Sequence, residues 1–368
     1  MSMMEKDSGV GTAAATAPSE WLVTTPTEPG TEVPMDSASS PGSPSRSRAL
    51  RRGLRSSPAY MAVVLIVLIA VFSFLAPDTF PHHDNLRNII VDASTLLVLA
   101  TGMTFVMVAA GFDLSIGSVL VFGGICASKV MTMVGGNGGW TAVAGLAASL
   151  AGGLLWGLFN GFCITRLRVP ALITTLGSLG AALGVANLMT KGNDVATVPH
   201  SLITIQTTSW FGMPVLVWLA VTIVLIGGAV LRFTRFGRHT YIVGSNDEAA
   251  RRSGIDVNRH LMKLYAISGL LAGLAGMMSL VRFSTTTIGG HGQDALEVIT
   301  GVILGGTSLY GGAGTILGTV IGIFIPAVLQ NGFVVKNVQA FWQQVAIGFI
   351  LIAAVYIDQL KRRSRNRA

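Results

Sequence analysis

The sequence predicts an all-α integral membrane protein of about ten transmembrane helices, and three observations predict it. Of its 368 residues, 51% are hydrophobic and 11% charged, where soluble domains carry about a quarter charged residues. The apolar residues gather into ten runs, approximately 59–76, 86–110, 114–133, 141–164, 171–189, 213–231, 264–281, 296–304, 315–332 and 341–357, most of them near the ~20 residues that cross a bilayer. With the N-terminus in the cytoplasm, ten spans leave only Arg87, Lys129, Lys191, Arg282 and Lys336 of the 25 Lys and Arg at or near the outside, as the positive-inside rule requires. Removing any one span would put either the central polar loop or the basic C-terminus on the wrong side.

Taken in order, residues 1–57 are rich in Ser, Thr, Pro and Gly. That composition cannot bury enough surface to fold, so they are expected to form a disordered cytoplasmic tail. The run at 59–76 begins far from the N-terminus and lacks a small-x-small exit, so it is expected to stay as an uncleaved first span. The transmembrane domain is assigned to 58–358, and the basic residues 359–368 to a cytoplasmic C-terminal tail.

Between the second and third runs, Gly111-Phe112-Asp113-Leu114-Ser115-Ile116-Gly117-Ser118 is a break too short for a solvated loop. Irregular backbone at that depth must be buried in protein or line a water-filled cavity. Asp113 therefore either caps the third span or lines a pathway. Glycines recur at helical spacing as Gly153, Gly157 and Gly161, as Gly269, Gly273 and Gly276, and as Gly314, Gly318 and Gly322, which predicts close helix packing. Pro326 should kink the ninth span. The eighth run, 296–304, is short and opens into the Gly-rich break 305–314. A charge at the bilayer centre costs about 2.5 to 3.5 kcal/mol on insertion scales. Polar residues within or between the runs are accordingly few, and Asp92, Asp113, Ser115, Asn160, Glu297, Thr307 and Ser308 are the candidate translocation-pathway residues.

The longest internal polar segment, 232–263, holds six Arg and one Lys together with Asp247, Glu248 and Asp256. Within it Asn246-Asp247-Glu248-Ala249-Ala250 reads as a helix start, with an Asn or Asp as the cap and acid in the first turn, and Gly254 reads as the stop. A short water-facing helix held between two spans is a shape that docks into another protein.

Other chemistries find little support. Gly305–Gly314 lacks the Lys-Ser/Thr ending of a phosphate-binding loop, and no such ending follows a Gly-rich loop elsewhere in the chain, so no cofactor is assigned to this chain, and whatever ATP and Mg²⁺ it depends on must be bound by another subunit. His82-His83-Asp84 has no further His or Cys in its loop to complete a metal set, and none is predicted. Cys126 and Cys163 fall in spans and read as small apolar residues. No basic run is interleaved with stacking aromatics, which argues against nucleic acid. No nucleophile elbow, zinc pair or pyrophosphate-holding carboxylate cluster is present, so an enzyme is not expected.

Glu248-Ala249-Ala250, three residues, Gly254 and Ile255 resemble the coupling loop of bacterial ABC importer permeases. The branch is named by further stretches, all in that family's order: Gly102–Ser118 (GMTFVMVAAGFDLSIGS), Asn160-Gly161, Val169-Pro170, Thr175-Leu176-Gly177, Leu304–Ser308, Gly314-Thr315 and Trp342-Gln343-Gln344. Together they resemble the ribose/xylose/galactose-type permeases over about three quarters of the chain. The resemblance implies a type II ABC importer permease fold in the inner membrane, paired with a second copy of itself. It implies a solute-binding protein above, an ATPase with two fused nucleotide-binding domains below, and a monosaccharide substrate. It further implies that Asn246, Glu248, Ala249, Ala250 and Gly254 couple to the ATPase, the two alanines being small to permit close approach. Three positions depart from the family pattern: Ala295-Leu296-Glu297 in place of an acid-Leu-acid triplet, Ala313 in place of an Arg, and Asp92 in place of a Gln. The alternative is an ion-gradient-driven secondary carrier, a class that usually places ionisable residues at the midplane. Only Asp92, Asp113 and Glu297 are available for that here.

Overall fold

A computed structural model describes residues 57–195 and 198–365. Nearly all of the tail assigned to 1–57 lies outside the described residues. Apart from turns and connecting loops, the described chain is helical, with one short hairpin of two-residue strands, Ser209–Trp210 (β1) with Met213–Pro214 (β2). The helices are α1 (Ser57–Leu75), α2 (His83–Val108), α3 (Ile116–Val134), α4 (Gly139–Thr165), α5 (Ala171–Thr190), α6 (His200–Thr207) and α7 (Val215–Phe233). They continue as α8 (Arg235–Ser245), α9 (Asp247–Arg252), α10 (Val257–Phe283), α11 (Asp294–Leu304), α12 (Ile316–Val335) and α13 (Ala340–Arg365).

Seven of these, α2, α3, α4, α5, α7, α10 and α12, are long and apolar enough to cross a membrane, and shorter apolar helical stretches run over Ala59–Leu75 and Phe341–Tyr356. The eighth predicted span is the helix α11, whose 11 residues rise about 16 Å, roughly half of a hydrocarbon core. It cannot cross alone, and instead lies against α12, α13 and α2.

Two helices form the centre. In α2 and α10 the apolar stretch is 83% buried, against 28% in α5 and α7, so the first pair is enclosed by protein while the second shows most of its surface outward. Lipid gives helices no hydrophobic reason to associate, and close packing has to supply it. The predicted glycine stripes do so at specific contacts. A Cβ on Gly153 would overlap the Gly269 carbonyl, one on Gly157 the Tyr265 carbonyl, and one on Gly273 the Ser149 carbonyl. These contacts press α4 onto α10, while Gly276 meets Leu120 and Gly124 of α3 in the same way. On α12, Gly318 and Gly322 meet Gly305 and Gly301 at the end of α11. Gly314, the third member expected on that stripe, precedes the helix with φ +154° and belongs to the turn before it. Pro326 is buried inside α12, and a hydroxyl pair, Thr104 with Thr319 at 2.7 Å, links that helix to α2.

Candidate functional site

At one end of the bundle, the polar loop folds into more helix than the sequence reading assigned. Thr234 caps α8 through Gly237 N–H (3.2 Å), Asn246 caps α9 through Ala249 N–H (2.9 Å), and Asp256 caps α10 through Arg259 N–H (3.0 Å). Each side-chain oxygen takes one of the amides that a helix start leaves unpaired. The end of α9 is a Schellman motif: Ile255 N–H donates to the Ala250 carbonyl (3.1 Å) and Gly254 N–H to the Arg251 carbonyl (3.0 Å). Gly254 takes φ +81°, a left-handed conformation that glycine adopts without a Cβ clash. The expected start and stop are therefore both present.

Asp247, Glu248, Ala249, Arg251 and Arg252 are exposed, and Glu248 pairs with Arg252 one turn on. Ala250 is fully buried among Val106, Val257, Leu264 and Tyr265, so its small side chain serves packing within this chain. The unit is fastened to the bundle. Gly244 abuts the Val108 carbonyl at the end of α2, Gly312 N–H donates to that same carbonyl (2.8 Å), and Thr240 Oγ1 meets His260 Nε2 at 2.9 Å. Tyr241 donates its hydroxyl to the Gly314 carbonyl (2.7 Å), and burial raises the pKa of that hydroxyl, keeping it a donor.

The candidate pathway residues separate into three places. Asp113, Ser115 and Asn160 come together in a buried chain of hydrogen bonds. Asp113 Oδ2 accepts from Ser268 Oγ (2.8 Å) and Oδ1 from Ser115 Oγ (2.6 Å), Asn160 Nδ2 donates to Ser115 Oγ (2.9 Å), and Ser178 Oγ donates to Asn160 Oδ1. Asp113 also accepts from Ser115 N–H (3.1 Å) and caps the break itself, since the residue at the α3 cap position is Ser115. This network joins α10, α4 and α5 to the α2–α3 break. Losing one partner strands the others, at about 1–3 kcal/mol per buried unpaired group. Asn160→Leu should therefore lower the thermal midpoint of the purified protein by several degrees, read as loss of monodispersity on heating, while Asn160→Asp recovers part of it.

Thr307 and Ser308 lie in the Gly-rich turn near α8. Thr307 Oγ1 is buried with no partner among the described residues, and Ser308 Oγ accepts from Tyr310 N–H (3.2 Å).

Asp92 and Glu297 face a third place, a cavity of about 550 Å³ at the opposite end of α10, some 40 Å from α9 along that 27-residue helix. Asp92 on α2 pairs with Arg282 on α10. His291 is held on three sides: Nδ1 lies 2.7 Å from Asp294 Oδ2, and Nε2 lies 2.8 and 2.9 Å from Ser279 Oγ and Thr287 Oγ1. A ring carrying its proton on Nδ1 satisfies all three. Glu297, on α11 and 6% exposed, accepts a single long bond from Gln330 Nε2 on α12 (3.3 Å). Gln343 and Gln344 of α13 complete the wall. Sequence reasoning missed Arg282, His291 and Gln330, because their spacing carries no motif and only the fold gathers them.

Residues 85–355 match the model of a family described as branched-chain amino acid transport system / permease component. The chain belongs to this family. The permease is 36% identical over 307 residues to the ribose import permease protein RbsC of Escherichia coli K12, covering 82% of this chain and 93% of that one. It is 34% identical over 310 residues to the L-arabinose transport system permease protein AraH of the same strain (83% and 92%). It is 33% identical over 298 residues to that strain's D-allose transport system permease protein AlsC (81% and 90%). The permease is thus a multi-pass membrane protein and a transporter subunit, and the reaction that drives transport belongs to a partner.

Proposed function

We propose that this permease carries a monosaccharide inward across the cytoplasmic membrane by alternating access, driven by a separate ATPase. The observation that carries the reading is α9: a helix capped at both ends, exposing Asp247, Glu248, Ala249, Arg251 and Arg252, fastened by Ala250, Gly244 and Tyr241 to the ends of the two central helices. A surface helix that only anchored a loop would not require that rigidity. Relatives named for ribose, arabinose and allose support a sugar as cargo.

In this reading Asn246, Glu248, Ala249 and Gly254 present the coupling surface, and ATP and Mg²⁺ stay on an ATPase with two fused nucleotide-binding domains. A solute-binding protein delivers sugar to the end bearing the cavity, and the subunit works as a homodimer. Ten segments cross the membrane, the eighth made of α11 together with the Gly-rich turn 305–314 that carries the chain on to the end bearing α8, with both termini cytoplasmic. Closure of the ATPase then shifts the bundle between two states that differ in which end is open.

Reconstitution tests the mechanism. Proteoliposomes holding the permease, its ATPase and its binding protein should accumulate D-ribose, L-arabinose or D-allose only with ATP, and uptake driven by an ion gradient without the ATPase would establish the carrier instead. Orientation has its own test. In intact cells a cysteine at Phe211, 96% exposed on the hairpin, should react with a membrane-impermeant maleimide, while one at Ser245 should not. Labelling of Ser245 from outside would reverse the topology.

A further inference from the structure

The cavity at the far end of α10 combines features that a mere vestibule does not need. Its volume, about 550 Å³, falls within the roughly 300–1,000 Å³ of small-molecule sites. Asp92 is paired with Arg282, and Asp294 is hydrogen-bonded to His291, so the polar groups of these four are committed to one another. What remains uncommitted is hydrogen-bonding capacity. Among the described residues, Glu297 Oε2 has no partner, Oε1 has only the 3.3 Å contact from Gln330, and the amides of Gln343 and Gln344 have none. Amide and carboxylate groups facing one cavity without intramolecular partners await hydrogen bonds from outside the chain. The groups come from three different helices, α11, α12 and α13, so their separation changes if those helices move.

We propose that Glu297 and Gln330, with Gln343 and Gln344 across the cavity, form a low-affinity binding site for the hydroxyls of a neutral monosaccharide, through which the permease itself selects its cargo. This rests on the sugar-permease reading above and deepens it. A carboxylate accepts from two adjacent hydroxyls, and an amide accepts from one while donating to another, which is the complement of a polyol. The Asp92–Arg282 and His291–Asp294 pairs act as positioning groups, holding α2, α10 and the 284–293 loop around the site. Weak binding is required, since a cargo held tightly here would not leave.

The test separates sugar moved from ATP spent. In proteoliposomes with ATPase and binding protein, Glu297→Gln and Gln330→Leu should each lower D-ribose, L-arabinose or D-allose uptake per ATP by about tenfold or more. Hydrolysis stimulated by the loaded binding protein should stay within about twofold of wild type. Gln344→Ala, on an exposed residue that folding does not need, should alter the ranking of the three sugars. With Cys126 and Cys163 replaced by Ser, modification of Gln344→Cys by a charged methanethiosulfonate should slow in excess sugar, and Glu297→Gln should abolish that protection. Unchanged uptake per ATP in both variants would reduce the cavity to a passive vestibule and overturn the proposal, leaving the ATP-driven permease intact. Hydrolysis and uptake falling in parallel would overturn it too, by making the pair part of the folding or closing machinery. If wild-type protein takes up none of the three sugars with ATP, yet Gln344→Cys is protected by one of them, the binding site stands and the ATP-driven reading falls.

Discussion

Gly269→Leu is expected to remove the protein from the membrane fraction. Its Cβ would stand against the Gly153 carbonyl and the Gly157 backbone, and neither can step aside as a flexible side chain would. Overpacking a core usually costs about 1–3 kcal/mol. The cost here should lie at the upper end or beyond, because the obstruction is backbone on both sides and α4 must move bodily away from α10. Separation of that pair also breaks the Ser149 hydroxyl's hydrogen bond to the Gly273 carbonyl (2.6 Å). Immunoblots of membranes should show protein reduced several-fold or more, since a loss of about 1–2 kcal/mol already changes abundance several-fold. Gly180→Leu supplies the comparison: nothing lies within 4 Å of a Cβ built there, so that variant should accumulate normally. Normal accumulation of Gly269→Leu would mean that α4 and α10 do not touch along this line.

Ala249→Trp and Gly254→Val should leave insertion and binding-protein capture intact while cutting ATP-driven uptake by about tenfold or more. Ala249 is exposed on α9, so an indole there meets no neighbour in this chain and acts only on a partner. Gly254 has open space around it but holds φ +81°, where a β-branched residue loses about 1–2 kcal/mol and the Schellman ending with it. Glu248→Lys adds a test of charge. It breaks the pair with Arg252 and sets a cation at the positive end of α9, an effect of about 0.3–1 kcal/mol on the helix itself. A larger loss of uptake would reside in the partner contact. Ala250→Trp is uninformative, because it destroys the interior before it reaches any partner. Wild-type uptake in both Ala249→Trp and Gly254→Val would remove the docking role.

The periodic and compositional features were legible in the chain. Apolar runs of near-span length became helices, and the Asn246 cap and Gly254 stop stand where cap and left-handed preferences put them. These signals are local, so a short window contains them. The eighth run, short and Gly-rich in the sequence, holds a helix of about half a span, and hydropathy, which measures only length of apolar chain, says nothing of the tertiary partners that let it sit at depth. The caps at Thr234 and Asp256 passed unread, since each lies beside a basic run that draws attention to charge instead. The pathway residues show the same division. Asp113, Ser115 and Asn160 were picked as polar residues out of place, and they are, yet each satisfies another inside the protein. Asp92 and Glu297 face one cavity with Arg282 and Gln330, partners 190 and 33 positions away, a distance no periodicity spans.

The two central helices run antiparallel and are stapled twice. Asp92 meets Arg282 near one end, and the Asp113 carboxylate, just past the last turn of α2, meets Ser268 fourteen positions earlier along α10. Two rods pinned at two separated points cannot slide past each other without opening a pin, so α2 and α10 are constrained to travel as one strut. A push delivered at α9 therefore does not fade along the bundle but arrives at the cavity undiminished in direction, as through a connecting rod. Under the proposed alternating access, the compliance to open and close then has to sit in the helices hung around the strut, where α11 and α12 meet at backbone-to-backbone glycine contacts that bear no ionic pin among the described residues.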